Sequence, residues 1–88
     1  MIGGDSDDET GTGYTPLQGQ YLAFIYYYAK LHGDSPAERD MVNYFKVTAP
    51  VVHQMVLALE KKGFISRVPG AARSIVLRLK RAQLPDLE

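Results

Sequence analysis

The run from Thr48 to Gly63 constrains the fold of this chain most, because it carries both a start and a stop signal for a helix. Thr48 can accept hydrogen bonds from the free amides of a helix start, and Pro50 falls in the first turn, where its missing N–H is harmless. Lys61 and Lys62 fall in the last turn, where the helix dipole favours cations, and Gly63 can adopt the left-handed conformation that ends a helix. We therefore predict one helix over this run.

The predicted helix has two different faces. The apolar side chains that share one stripe at helical spacing are Val52, Met55, Val56 and Leu59. The opposite face and its flanks carry Pro50, Val51, His53, Gln54, Leu57 and Lys61. The first face is expected to lie in the core, which leaves the second free for a partner.

Two further helices are predicted before this one. Thr15 and Pro16 form a start signal, and Gly33 forms a stop signal. The expected inner face of this first helix is Leu17, Tyr21, Phe24, Ile25 and Tyr28, with Leu22, Tyr26 and Tyr27 lying off it. The three residues off that face form a candidate patch for a homodimer contact; the alternative is half-buried aromatic rings with their hydroxyls in water.

A capping box formed by Ser35 and Glu38 predicts the start of the second helix. Its expected inner face is Met41, Val42 and Phe45. Only Lys46 and Val47 then separate it from Thr48, and so short a connection is typical of a helix-turn-helix.

After Gly63 the apolar period changes from helical to alternating. Residues 64–68 and 74–79 are predicted strands, and residues 69–73 between them form a hairpin loop in which Gly70 supplies a positive φ. Three helices followed by a hairpin predict an α+β winged helix-turn-helix fold. The predicted organisation is a flexible acidic arm over residues 1–14, the winged helix domain over residues 15–80 and a fraying tail over residues 81–88.

The charges are segregated along the chain although they sum to zero. Residues 1–15 carry four acidic side chains and no basic one, whereas residues 46–81 carry eight basic side chains and one acidic one, a net charge of +7. This separation favours a polyanionic partner, although a solvated face with a solubilising arm would give the same pattern.

Several classes of function find no support in the sequence. The chain has no cysteine and two well-separated histidines, so we predict no disulfide and no metal site. We find no phosphate-binding loop and no catalytic motif, and we therefore expect neither a cofactor nor an enzyme. The absence of a long apolar run and of a signal peptide predicts a cytoplasmic protein.

Residues 58–65, Ala-Leu-Glu-Lys-Lys-Gly-Phe-Ile, followed by residues 68–77, Val-Pro-Gly-Ala-Ala-Arg-Ser-Ile-Val-Leu, resemble the DNA-binding domain of LexA-type repressors. The resemblance extends over residues 15–79. It implies a third helix in the major groove and a wing against the backbone or the minor groove. Such repressors also carry a self-cleaving protease domain, for which 88 residues leave no room, so self-cleavage is not expected here.

The resemblance places base-reading positions on Pro50, Val51, His53 and Gln54, with Thr48 near a phosphate. Gln54 can pair with an adenine edge and Val51 can contact a thymine methyl group. His53 can donate to a phosphate or a base; the alternative is a surface histidine without a role.

Basic residues complete the predicted interface. Arg73, at the tip of the wing, is the candidate for a narrow minor groove. The side chains expected to set affinity and its salt dependence are Lys46, Lys61, Lys62, Arg67 and Arg78. The predicted function is a sequence-specific regulator that binds double-stranded DNA. The alternative is a winged helix that binds another protein, because Val51 and Leu57 give the outer face an apolar character.

Overall fold

The computed structural model describes residues 13–88, which form three helices and a hairpin. The helices are α1 (Pro16–His32), α2 (Glu38–Phe45) and α3 (Ala49–Lys61). Strands β1 (Ile65–Ser66) and β2 (Val76–Leu77) pair antiparallel, and a 3-10 turn, Arg81–Gln83, follows them. The order of elements confirms the predicted winged helix-turn-helix fold. We call residues 67–75, which join the two strands, the wing.

The ends of α1 agree with the prediction. The Thr15 hydroxyl accepts from the Gln18 amide at 3.1 Å, and the Gln18 side chain accepts from the Thr15 amide at 3.0 Å. Two otherwise free amides are thus satisfied reciprocally. Gly33 has a φ of 73° and donates to the Ala29 carbonyl, which closes the helix.

The start of α2 differs from the prediction. Helix α2 begins at Glu38, and the carboxylate of Asp40, three residues after Ala37, accepts from the Ala37 amide at 2.8 Å. Ser35 therefore does not cap the helix. Its hydroxyl donates instead to the Arg73 carbonyl in the wing at 2.6 Å. The predicted capping box was wrong because Ala37 keeps an extended backbone and delays the helix.

The core combines the inner faces of the three helices with the hairpin and the C-terminal segment. Its large buried side chains are Tyr21, Leu22, Phe24, Ile25, Met41, Val52, Val56, Leu59, Phe64, Ile65, Ile75 and Leu84. The predicted stripe of α3 is confirmed. In α1 two predictions were wrong, since Leu17 is 56% exposed and Leu22 is fully buried. Helix α1 is covered on more than one side, so its buried face is wider than one stripe.

The C-terminal segment packs along α1 instead of fraying. Leu84 is 7% exposed, and the Tyr14 hydroxyl donates to the Gln83 carbonyl at 2.6 Å. The Gln20 side chain donates to the Asp86 carbonyl at 3.0 Å and accepts from the Glu88 amide at 2.8 Å. Because Leu84 is part of the core, we propose that the domain extends past the predicted boundary at residue 80.

The predicted acidic arm lies mostly outside the described residues, which begin at Gly13. Tyr14, which the prediction included in the arm, is half-buried and packs edge-on against Phe64. Within residues 13–88, no helix is both long and apolar enough to cross a membrane.

We expect Gly19→Ala to destabilise the domain by about 1 kcal/mol, although alanine normally favours a helix interior by a similar amount. An added Cβ at Gly19 would lie 2.8 Å from the Tyr14 ring and 3.1 Å from Pro85. The Tyr14 ring is held on its other side by the hydrogen bond of its hydroxyl to the Gln83 carbonyl and by its edge-on contact with Phe64, so we expect its displacement to weaken these contacts. Urea unfolding followed by circular dichroism measures the change. In a Tyr14→Ala background the same substitution should become less harmful, and a gain in stability in the parent chain would contradict the prediction.

Candidate nucleic-acid interface

The outer face of α3 is exposed along its whole length. Its exposed residues are Pro50, Val51, His53, Gln54, Leu57 and Lys61. Val52, Val56 and Leu59 on the inner face are fully buried, which fixes the rotation of the helix. The structure therefore brings the predicted residues of α3 together on one open face.

The start of α3 differs in one respect from the prediction. Thr48 occupies the cap position with an extended backbone, but its side chain makes no capping hydrogen bond. Lys46 adopts a left-handed conformation, with a φ of 56°, and this turns the chain from α2 into α3. Thr48, Ala49 and Pro50 are all exposed. The Thr48 hydroxyl and the amides of the first turn are thus accessible to an external acceptor.

His53 is paired with Glu38 at the start of α2. Its Nδ1 atom lies 3.1 Å and 3.2 Å from the two carboxylate oxygens. The His53 side chain is 48% exposed, so the pair lies at the surface and contributes little to stability. Within residues 13–88 its Nε2 atom has no hydrogen-bond partner, and this is the nitrogen that can reach an external group.

Arg67 is less available than the sequence indicated. Its Nε atom donates to the Glu60 carboxylate at 3.0 Å, and its side chain is only 15% exposed. Lys46, Lys61 and Arg78 are exposed as predicted. Lys62 lies 3.5 Å from the Gly13 carbonyl, and Lys80 is a further exposed cation. Within residues 46–81, the basic side chains that no carboxylate pairs with are therefore the lysines and Arg78.

Arg73 points back into the domain and does not project from the wing. Its Nη1 atom donates to the Tyr28 hydroxyl at 3.1 Å, the Ser35 carbonyl at 3.2 Å and the Asp40 carboxylate at 3.0 Å. The hydrogen bond to Tyr28 raises the pKa of Arg73 above its ordinary value, and the charge of Asp40 adds to this effect. Three acceptors hold the guanidinium in this structure, and the contact of Arg73 with a narrow minor groove stays a prediction.

The contacts of Asp40 with the Ala37 amide and the Arg73 guanidinium lower the pKa of its carboxyl. Partial burial raises its pKa, but the Ala37 amide and the Arg73 guanidinium together lower the pKa by more. The folded-state pKa therefore lies below the ordinary value of 3.8. The stabilisation from these contacts is fully present above that ordinary value and is lost as the pH falls through the lower folded-state pKa.

A cleft of about 400 Å³ separates the wing from the starts of α2 and α3. The residues around it include Glu38, His53, Arg67, Ala72, Arg73 and Ile75. One wall thus comes from the helix-turn-helix and the other from the wing. Glu38 and His53 of the helix-turn-helix and the residues of the wing thus border one cleft.

The predicted patch for a homodimer contact is not supported. Leu22 is fully buried in the core. The Tyr27 hydroxyl accepts from Arg81 at 2.8 Å, and the Arg81 guanidinium lies 5.7 Å from the centre of the Tyr26 ring. The C-terminal segment therefore uses the surface that the sequence assigned to a second copy.

Sequence reasoning missed the acidic and aromatic partners of the arginines. Asp40 and Tyr28 lie 33 and 45 residues from Arg73, and no local spacing joins them. Glu60 was visible as the only acidic residue between positions 46 and 81. Its position at the end of α3, seven residues before Arg67, was the one available signal for that pair.

The order of elements, the open face of α3 and the adjacent wing define a winged helix-turn-helix domain of the nucleic-acid-binding class. The model of the LexA DNA binding domain family matches residues 12–74. This chain belongs to that family, and the match confirms the resemblance inferred from residues 58–77.

Individual relatives agree with the family match. The LexA repressor of Thermosipho africanus is 48% identical over 63 residues, which cover 72% of this chain and 32% of the repressor. The LexA repressor of Thermosipho melanesiensis is 46% identical over the same length. That of Geobacter metallireducens is 36% identical over 75 residues, covering 81% of this chain and 37% of the repressor. The chain spans about a third of the length of these relatives.

Proposed function

We propose that this domain binds double-stranded DNA in a sequence-specific manner and acts as the DNA-reading part of a transcriptional repressor. In this proposal α3 enters the major groove, and the wing contacts the backbone or the minor groove. The observation that carries the proposal is the open outer face of α3 in a member of the LexA DNA-binding-domain family. The repressors among its relatives support the regulatory role.

The residues of α3 divide into base-reading and phosphate-binding groups. Gln54 offers a donor and an acceptor that match an adenine edge, and Val51, which is 49% exposed, can contact a thymine methyl group. His53 can use its Nε2 atom while Glu38 holds Nδ1. Thr48 and the first-turn amides can bind a phosphate, which fixes the helix in the groove without reading sequence.

Selection from a random duplex pool tests the proposal most broadly. The enriched duplex and a scrambled version of it are then labelled and titrated with the protein at two salt concentrations. The fluorescence anisotropy of the labelled DNA reports binding. We expect the selected duplex to bind at least about a thousand-fold more tightly than the scrambled one. Failure of the protein to bind either duplex at micromolar concentration and low salt would overturn the proposal.

We expect Gln54→Ala to remove roughly 1–3 kcal/mol of discrimination, which is about 5- to 150-fold in affinity for the selected duplex. Its affinity for the scrambled duplex should stay the same, because a base contact contributes only where the matching base is present. Lys61→Ala is the matched control on the same face. This variant should lose the same factor of affinity for both duplexes, and its slope of log affinity against log salt should become shallower by about one. An equal loss of affinity for both duplexes in Gln54→Ala would contradict the role of Gln54 in reading a base.

The exposed apolar side chains of α3 favour a second candidate function, which is binding to another protein. Val51 is 49% exposed and Leu57 is 37% exposed on the same face. Apolar side chains that adjoin at a surface are typical of protein contacts. Under this alternative the selection enriches no sequence, and a Lys61→Ala, Arg78→Ala variant binds duplex DNA as weakly as the parent chain does.

A further inference from the structure

The wing is held to the helices through both the side chain and the backbone of Arg73. The guanidinium donates to acceptors in α1, in the turn before α2 and in α2 itself, which are the Tyr28 hydroxyl, the Ser35 carbonyl and the Asp40 carboxylate. The Arg73 carbonyl accepts from the Ser35 hydroxyl at 2.6 Å. The guanidinium carbon also lies 5.8 Å from the centre of the Tyr28 ring. Arg73 therefore connects three parts of the domain.

The backbone of the wing is arranged around this residue. Arg73 has a φ of 55°, a left-handed conformation that is rare for a residue with a side chain. The Ser74 hydroxyl accepts from the Val68 amide at 2.9 Å and closes the loop. The strands on either side contribute only two residues each, and so short a ladder is a weak support. The position of the wing must therefore depend on contacts outside the ladder.

We propose that Arg73 is a positioning residue: it fixes the wing against α1 and α2, so that the wing and α3 present one surface to DNA. It is not itself a phosphate contact. Asp40 links the wing to α2, because the same carboxylate oxygen that accepts from Arg73 also accepts from the Ala37 amide at the start of α2. This inference rests on the proposed DNA-binding function.

Removal of the partners separates positioning from direct contact, because the two roles predict opposite signs. If Arg73 reached a phosphate, Asp40→Asn would release the guanidinium and remove a negative charge, and both changes would tighten DNA binding. If Arg73 positions the wing, the same substitution loosens the wing and weakens binding. Asparagine keeps an oxygen for the Ala37 amide, so α2 retains its start. Tyr28→Phe removes one acceptor of Arg73 without any change in charge.

The chain offers a matched control for each substitution. Arg81 forms a similar cluster at the C-terminal segment, where it donates to the Tyr27 hydroxyl at 2.8 Å and to the Asp86 carboxylate at 3.1 Å. Tyr27→Phe and Asp86→Asn therefore delete the same chemical groups from a cluster that does not touch the wing. Asp86 is 92% exposed, so its substitution carries little risk to the fold.

The experiment measures the dissociation constant for duplex DNA, its salt slope and the amide spectrum of the wing, at a temperature where circular dichroism shows each variant to be folded. We expect Asp40→Asn and Tyr28→Phe to weaken binding about 3- to 10-fold with an unchanged salt slope, and the two control variants to stay within about twofold of the parent. Tighter binding by Asp40→Asn, or an unchanged affinity in Tyr28→Phe, would overturn the proposal.

Arg73→Lys supplies a further test, since it keeps the charge but places its nitrogen one atom closer to the backbone than Nη1, the atom that makes all three contacts. We expect faster amide exchange in residues 68–75 of the DNA-free protein and weaker DNA binding. Full retention of affinity would identify Arg73 as a simple charge contact and would refute the positioning role. The amide measurement needs no DNA. Faster wing exchange in Arg73→Lys, together with a parent chain that does not bind DNA, would therefore count against the proposed function and leave the positioning role of Arg73 intact.

Discussion

Raising the salt concentration from 50 to 200 mM is expected to weaken DNA binding by this domain roughly 40- to 500-fold. The cations that no carboxylate pairs with, within residues 13–88, include Lys46, Lys61, Lys62, Arg78 and Lys80. Each phosphate neutralised contributes about −0.9 to the slope of log affinity against log salt. Contact of three to five of these cations with phosphates gives a slope of about −2.7 to −4.5. A fourfold increase in salt then produces the stated loss.

Anisotropy titrations at several salt concentrations between these limits measure the slope. The variant Lys61→Ala, Arg78→Ala should make the slope shallower by about 1.8, because two phosphate contacts are lost. Lys30→Ala is the charge-matched control. Lys30 lies on α1 with its ammonium group 5.8 Å from the centre of the Tyr26 ring, and we expect its removal to leave the slope unchanged. Equal effects of the two variants would mean that total charge, and not the surface around α3, determines binding.

The second large effect is a loss of roughly 2–5 kcal/mol in the free energy of unfolding for Leu59→Ala. Leu59 is fully buried in the inner stripe of α3, where it joins the cluster that contains Val56 and Ile65. Truncation removes apolar contacts and leaves a cavity that neighbouring side chains fill only in part. A small domain has a total stability of about 5–15 kcal/mol, so the loss is a large share of it.

Leu57→Ala is the matched control for this substitution. Leu57 stands two positions earlier on α3 and is 37% exposed, so the same change in side chain should cost less than about 1 kcal/mol. Urea unfolding gives both values, and an unchanged denaturant slope ensures that they are comparable. Similar losses at the two positions would contradict the assigned rotation of α3. That rotation also determines which residues face DNA.

The sequence predicted the order of elements and the two faces of α3, because both depend on neighbours a few residues apart. The stripe of Val52, Val56 and Leu59 needs only the helical period. The stop at Gly63 requires only a residue that tolerates a φ of 81°. The start of α2 was predicted too early, since Ala37 and not Ser35 is the N-cap residue, and Asp40 and not Glu38 accepts from the N-cap amide.

Contacts between distant parts of the chain were beyond prediction. Leu84 and Leu87 stand in a short segment without a helical or alternating period, and only the folded core supplies the surface that covers them. The net charge of +7 over residues 46–81 was correct as composition. It overstated the charge available to DNA, because two acidic residues from outside this range, Asp40 and Asp86, pair with Arg73 and Arg81. Pairing of this kind depends on tertiary structure, which neither the composition nor the apolar periodicity of the sequence predicts.

Titration of the isotope-labelled protein with the selected duplex, followed by amide chemical shifts, shows directly which surface of the domain binds DNA. We expect the largest changes in residues 48–54 at the start of α3 and in the wing, residues 67–75. We expect little change in α1 around Tyr26 and Tyr27 or in the C-terminal segment, whose Arg81 contacts them. Changes concentrated around Tyr26, Tyr27 and the C-terminal segment, with residues 48–54 unaffected by saturating DNA, would contradict DNA binding through α3.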